Sequence, residues 1–123
     1  MTTPLSEIKK SRKKSLFFKE ITKLFMQATL DDKRLQGLIV SDVSLSSDKS
    51  ACTIYFYTEQ GKEHYEELFD TLILYKPSLR KAIANEIKLR RVPELIFKFD
   101  SKYQKRQRLE QLLDSIKDVN EKD

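Results

Sequence analysis

The sequence predicts an α+β fold with helices packed on one face of a three-stranded sheet. Three observations carry this. Apolar residues recur at helical spacing near the start and again beyond Gly61, two runs between them alternate like a hairpin, and a short alternating run follows Pro93. The order is helix, strand, strand, helix, kink, helix, strand, with an additional C-terminal helix. A chain of 123 residues has the length of one domain, spanning 1–123, with residues 1–5 and 118–123 expected to fray.

Each element has its own signature. Thr3 is suited to cap the first helix, with Pro4 at its first position, where a missing N–H costs nothing. Phe17, Phe18, Ile21, Leu24, Phe25 and Ala28 then share one apolar face. After the turn-like Asp31-Asp32-Lys33-Arg34, the stretch Gln36–Leu45 is rich in β-branched residues but alternates only loosely, and Ser46-Ser47-Asp48-Lys49 punctuates it. Ala51–Thr58 sets Cys52, Ile54 and Phe56 inward and Thr53, Tyr55 and Tyr57 outward. Cys52 therefore reads as a small core residue. The two tyrosines read first as stabilisers of an exposed sheet face, although bases could stack on them.

From Lys62 to Leu89 the pattern is helical, with Glu63, Glu66 and Glu67 where the helix dipole favours acids. Pro77 falls within this run, so the helix should kink or break at Tyr75-Lys76-Pro77. Beyond it Leu79, Ala82, Ile83 and Ile87 form a core face, with Arg80, Lys81, Lys88 and Arg91 roughly opposite. Glu86 projects onto the apolar side without explanation. Val92-Pro93 ends the helix, because the residue before proline prefers extended backbone. Leu95, Phe97 and Phe99 then point inward from a third strand, and Leu109, Leu112, Leu113 and Ile116 define a last amphipathic helix.

Composition excludes several functions. Gly37 and Gly61 are the only glycines and lie far apart, so neither a P-loop nor a dinucleotide-binding fingerprint can form. One histidine, His64, and one cysteine, Cys52, do not make a zinc site, and an internal disulfide is impossible. His64 has no nucleophile or ligand set beside it and reads as a surface residue. Glu66 and Glu67 are adjacent and so face different ways, which leaves no acid–base pair and argues against an enzyme. Met1 to Lys14 is polar and lysine-rich, and no run is long and apolar enough to span a bilayer. Both features point to the cytosol and away from membranes.

The net charge of +5 conceals a block pattern. Met1–Lys23 carries +5, Leu24–Tyr75 −5, Lys76–Arg108 +8 and Leu109–Asp123 −3. Two basic blocks flanking an acidic middle are the footprint of a surface that meets a polyanion. A protein-binding adaptor that uses the acidic helix Lys62–Asp70 or the exposed tyrosines is the alternative.

The order of elements is similar to a type II KH domain, and the sequence resembles the bacterial ribosome-binding factor A family from about Arg12 to Ile116. The most specific likeness is Lys88-Leu89-Arg90-Arg91-Val92-Pro93-Glu94-Leu95, a basic run into Val-Pro-Glu-Leu. Asp32-Lys33-Arg34-Leu35 resembles the family's Asp-Pro-Arg-Leu. Val40-Ser41-Asp42-Val43 with Ser47-Asp48 resembles its hairpin, and Leu109 with Leu112-Leu113 its closing apolar helix. Two departures stand out. Tyr75-Lys76-Pro77 takes the place of an Ala-x-Gly bend, which puts the contact geometry there in question, and Lys33 replaces the turn proline.

The resemblance implies a late-acting assembly factor that binds the 30S ribosomal subunit and 16S rRNA, assists 5′-end processing of that RNA and supports growth in the cold. It further implies a non-enzymatic protein with no cofactor, whose other partners could include ribosomal proteins and an assembly GTPase. The cytoplasmic location is the expectation from the polar start of the chain, and a monomer is the default expectation, the sequence leaving the oligomeric state open. The expected RNA-binding residues are Lys76, Arg80, Lys81, Lys88, Arg90 and Arg91 around the bend. Lys9, Lys10, Arg12, Lys13 and Lys14 on the first helix supply a second grip. Phosphate contacts of this kind position a protein without reading sequence and make binding salt-dependent.

Overall fold

The computed structural model describes the backbone of residues 5–87 and 90–121, and side chains over 12–87 and 90–116. The expected cap at Thr3, Pro4, and both Lys88 and Leu89 lie outside the described residues. Helix α1 spans Leu5–Asp31 and is followed by a 3-10 turn, Lys33–Leu35. Strands β1 (Ile39–Leu45) and β2 (Ala51–Tyr57) form the hairpin. Helices α2 (Lys62–Leu74) and α3 (Lys76–Glu86) cross back to β3 (Glu94–Phe99), and α4 covers Ser101–Glu121. None of the described helices is long and apolar enough to cross a membrane.

The sheet order is β1-β2-β3, antiparallel between β1 and β2 and parallel between β2 and β3. The parallel pair requires the long crossover that α2 and α3 provide. Phe17, Ile21 and Phe25, each one turn apart on α1, are buried with Val43, Ile54, Phe56, Leu95, Leu72 and Ile83 in one core. Phe56 is its hub, with Phe25 and Phe97 meeting its ring edge-on at 5.0 and 5.2 Å. Each such side chain contributes roughly 1.5–3 kcal/mol of burial. Cys52 is fully buried, and burial pushes its thiol up to about 11.

The loose alternation of the first strand has a structural cause. Val40 pairs with Phe56 and Asp42 with Tyr55, so Ser41 is an extra residue, a β-bulge. The added position returns Val40, Val43 and Leu45 to the same inward face. Strand β1 is also shorter than the expected Gln36–Leu45, because Gln36 caps the 3-10 turn and Gly37 takes a positive φ of 88° that ordinary strand residues avoid. The Ser41 hydroxyl donates its one proton to Asp100 Oδ2 at 2.7 Å, with the Tyr55 carbonyl 3.2 Å away as an alternative acceptor.

Asp100 also caps α4, its Oδ1 accepting from the Tyr103 amide at 2.9 Å. The last helix therefore starts from a fixed point, where Tyr103 packs against Tyr57 at 4.5 Å. Beyond that point α4 departs from expectation. The helix forms, but Leu109, Leu112, Leu113 and Ile116 remain more than half exposed instead of closing over the core. Amphipathic spacing specified a stripe, and no described element covers it.

Candidate nucleic-acid interface

The helical run breaks where the proline predicted. α2 ends at Leu74 and α3 begins at Lys76, with Tyr75 capping both. Pro77 lies in the first turn of α3, where no helical partner for its missing N–H is lost. Two backbone bonds brace the junction, from Tyr75 N–H to the Leu72 carbonyl at 3.0 Å and from Leu79 N–H to the Tyr75 carbonyl at 2.9 Å.

A side-chain bond fixes the same junction from outside. The Tyr75 hydroxyl donates to Asp32 Oδ2 at 2.7 Å, across 43 positions of chain. Arg34 holds the same carboxylate through Nε and Nη2 at 3.0 and 2.8 Å. The Arg34 bonds first, and then the Tyr75 bond, pull Asp32 well below the usual carboxylate range. The Asp32 bond conversely pushes the Tyr75 phenol above its ordinary value. The bend thus has no glycine but is tethered to the loop after α1. Arg34 is committed to that tether and is not a free cation.

The expected RNA-binding residues separate into groups. Lys76 and Arg80 are one turn apart on α3 and both lean toward the third strand. Lys76 Nζ lies 5.8 Å from the Phe97 ring centroid, and Arg80 Nη2 approaches the Val92 carbonyl at 3.4 Å. Arg91, one residue before Val92, lines a small notch with Lys13 of α1. The two basic blocks, remote in sequence, therefore meet at the hairpin end of the sheet. Arg90, Lys81 and Arg12 are exposed.

Lys14 goes elsewhere and pairs with Asp42 at 3.4 Å. Lys9 and Lys10 belong to the first turns of α1, with side chains outside the described residues, as is the whole of Lys88. Glu86 is exposed, so it does not enter the core. His64 is partly covered and lies 3.7 Å from Glu67.

Sequence reasoning missed Lys49. It lies in the block of net charge −5, where summing over segments cancels it. The hairpin turn nevertheless carries it to the notch beside Lys13 and Arg91. Among the described residues no acid pairs with Lys13, Lys49, Lys76, Arg80 or Arg91 within 4 Å. The tether from Tyr75 to Asp32 was also missed. Its only signal in the sequence was a tyrosine where a small residue was expected.

Helices on one face of a mixed three-stranded sheet, broken between the second and third helix and basic at one end, define an α+β domain of the type II KH kind. Residues 9–113 match the sequence pattern of ribosome-binding factor A. A Prochlorococcus marinus ribosome-binding factor A is 35% identical over 109 residues, covering 87% of this chain and 83% of the relative. The crystal structure of ribosome-binding factor A from Thermus thermophilus superposes with a TM-score of 0.61 at 28% identity, over 73% of this chain and 93% of that one. A homology model of the Thermus thermophilus factor, as fitted into an electron cryo-microscopy map of its 30S complex, gives 0.55 at 28% identity, over 69% of this chain and 88% of that one. The chain belongs to the ribosome-binding factor A family.

Proposed function

We propose that this protein binds the 30S ribosomal subunit through 16S rRNA, assists late maturation of that RNA including its 5′ end, and acts as a cytoplasmic monomer without catalysis of its own. The observation that carries the reading is the meeting of the two basic blocks: Lys13 of α1 and Arg91 ahead of β3 line one notch, with Lys76 and Arg80 along the neighbouring edge. Cations without acidic partners can neutralise a phosphate backbone. The relative fitted into a 30S complex supports the small subunit as the target.

The test is sedimentation binding to purified small subunits at two salt concentrations. Lys76→Glu/Arg80→Glu is expected to weaken binding by more than tenfold and to flatten the salt dependence. Unchanged affinity and slope would remove this edge from the interface.

The exposed leucine face of α4 favours a second reading, the protein-binding adaptor. Nuclease treatment of a pull-down separates the two, because an adaptor keeps its partners once RNA is degraded. The acidic helix Lys62–Asp70 remains available to that reading. Tyr57 is less so, since it packs against Phe99 and Tyr103.

A further inference from the structure

The notch at the hairpin end contains more than a convergence of positive charge. Its floor is apolar, formed by the buried residues Phe17, Leu45 and Pro93, and Lys13, Lys49 and Arg91 supply its rim. It encloses about 30 Å³, room for a small polar group such as one oxygen of a phosphate.

Lys49 is unfavourable in this place on two independent counts. It takes φ 60°, a left-handed backbone conformation that glycine and asparagine adopt far more readily than lysine. It also faces another cation, because Lys13 lies close enough to pull the Lys49 ammonium below its ordinary pKa. The adjacent carboxylate does not relieve this. Asp48 Oδ1 accepts from Ser46 Oγ at 2.8 Å, from Ser50 N–H at 3.1 Å and from Ser50 Oγ at 2.7 Å, so it serves the turn. The turn is further closed by bonds from Lys49 N–H to the Ser46 carbonyl and from Ser46 N–H to the Ala51 carbonyl, both 2.9 Å. Backbone strain and like-charge repulsion at one residue are costs that an anion bound between the cations would offset.

We propose that Lys13, Lys49 and Arg91 form one phosphate-binding notch that takes a single phosphodiester of RNA, with an oxygen seated over Phe17, Leu45 and Pro93. The proposal rests on the nucleic-acid reading above and adds to it the hairpin turn as a contact and a shared phosphate as the ligand. Lys13 and Lys49 act as point charges, while the Arg91 guanidinium can donate to two phosphate oxygens at once.

Two arms test it on the full chain. In the first, inorganic phosphate is titrated at fixed ionic strength against chloride while backbone amide resonances are followed. Saturable shifts are expected at Lys13, Ser46–Ala51 and Arg91, and Lys49→Asn, which tolerates the turn's backbone, should abolish them. In the second, a short RNA hairpin and purified small subunits replace phosphate. Lys49→Asn should weaken binding about three- to tenfold and lower the log–log salt slope by about one. Arg91→Ala should add little in that background, because both residues hold the same phosphate.

If the unaltered chain binds RNA while Lys49→Asn binds equally well with an unchanged slope, the notch is wrong and the broader reading stands. Strictly additive losses for Lys49→Asn and Arg91→Ala would overturn the shared phosphate. Saturable phosphate shifts without binding of RNA or subunits would overturn RNA as the source, and the nucleic-acid reading with it.

Discussion

Lys13 and Lys14 leave the same turn of α1 for different surroundings on the surface. Lys14 reaches the edge strand and is answered by Asp42 at 3.4 Å, both side chains about half exposed. Lys13 reaches the hairpin end and lines a notch with Lys49 and Arg91 beside an apolar floor, with no acidic partner within 4 Å among the described residues. At the bend, likewise, Arg34 is answered by Asp32, whereas Lys76 and Arg80 have no acidic partner among the described residues. Paired cations belong to the protein's own architecture, and unpaired ones are available to another molecule. A count of lysines and arginines along the chain cannot make this distinction, because it depends on where each acid lies in space.

The comparison breaks first if charge reversal in the two regions has equal effects. Lys13→Glu/Arg91→Glu is expected to lower affinity for small subunits by about a hundredfold, since two contacts are lost and two repulsions gained at one phosphate. Filter binding at several salt concentrations measures both the loss and the flatter slope.

Asp100→Ala should do the reverse, damaging structure and sparing binding. It removes the α4 cap and the shorter bond of the Ser41 hydroxyl, which keeps the Tyr55 carbonyl as a longer acceptor, at an expected cost of about 1–2 kcal/mol, seen as a thermal midpoint several degrees lower. RNA affinity measured well below that midpoint should be unchanged.

The answered charge at the bend makes stability depend on pH, with a sign that follows from each partner. Asp32 is held below its unfolded value, so the stability it contributes is present above about pH 4 and lost as pH falls further. Tyr75 is raised, so its contribution is present below about pH 10 and lost as pH rises beyond. Urea midpoints measured across this range should fall off at both ends. Tyr75→Phe should flatten the alkaline limb and part of the acid one.

The smallest effect is expected for Lys14→Ala, whose exposed ion pair should change stability by less than about 0.5 kcal/mol. Affinity for small subunits within twofold of the unaltered chain would keep Lys14 outside the interface. A large loss would mean that Asp42 does not occupy it in the complex.

Much of this architecture was legible from spacing alone. Phe17, Ile21 and Phe25 announced the buried face of α1, Leu95 and Phe97 the third strand, and Pro77 the broken helix. What escaped was non-local. Ser41 disguised β1, since a bulge shifts the alternation by one residue and its partner strand has to be known before it can be seen. The tie between Tyr75 and Asp32 joins residues with no shared local pattern. The periodicity of α4 showed which residues form an apolar stripe and could not show that the core leaves it uncovered. Lys49 was hidden by the acids around it in the sequence, none of which pairs with it within 4 Å among the described residues.

The notch draws one residue from the first helix, one from the hairpin tip and one from the segment leading into the last strand. No contiguous fragment of the chain can assemble it before the crossover is complete, and the parallel pairing that completes it joins segments far apart in sequence, a slow class of contact to form. Recognition and foldedness are therefore coupled. Any anion captured there binds the native state alone, so it raises the free energy of global unfolding and protects the amides of the central strand along with those at the rim.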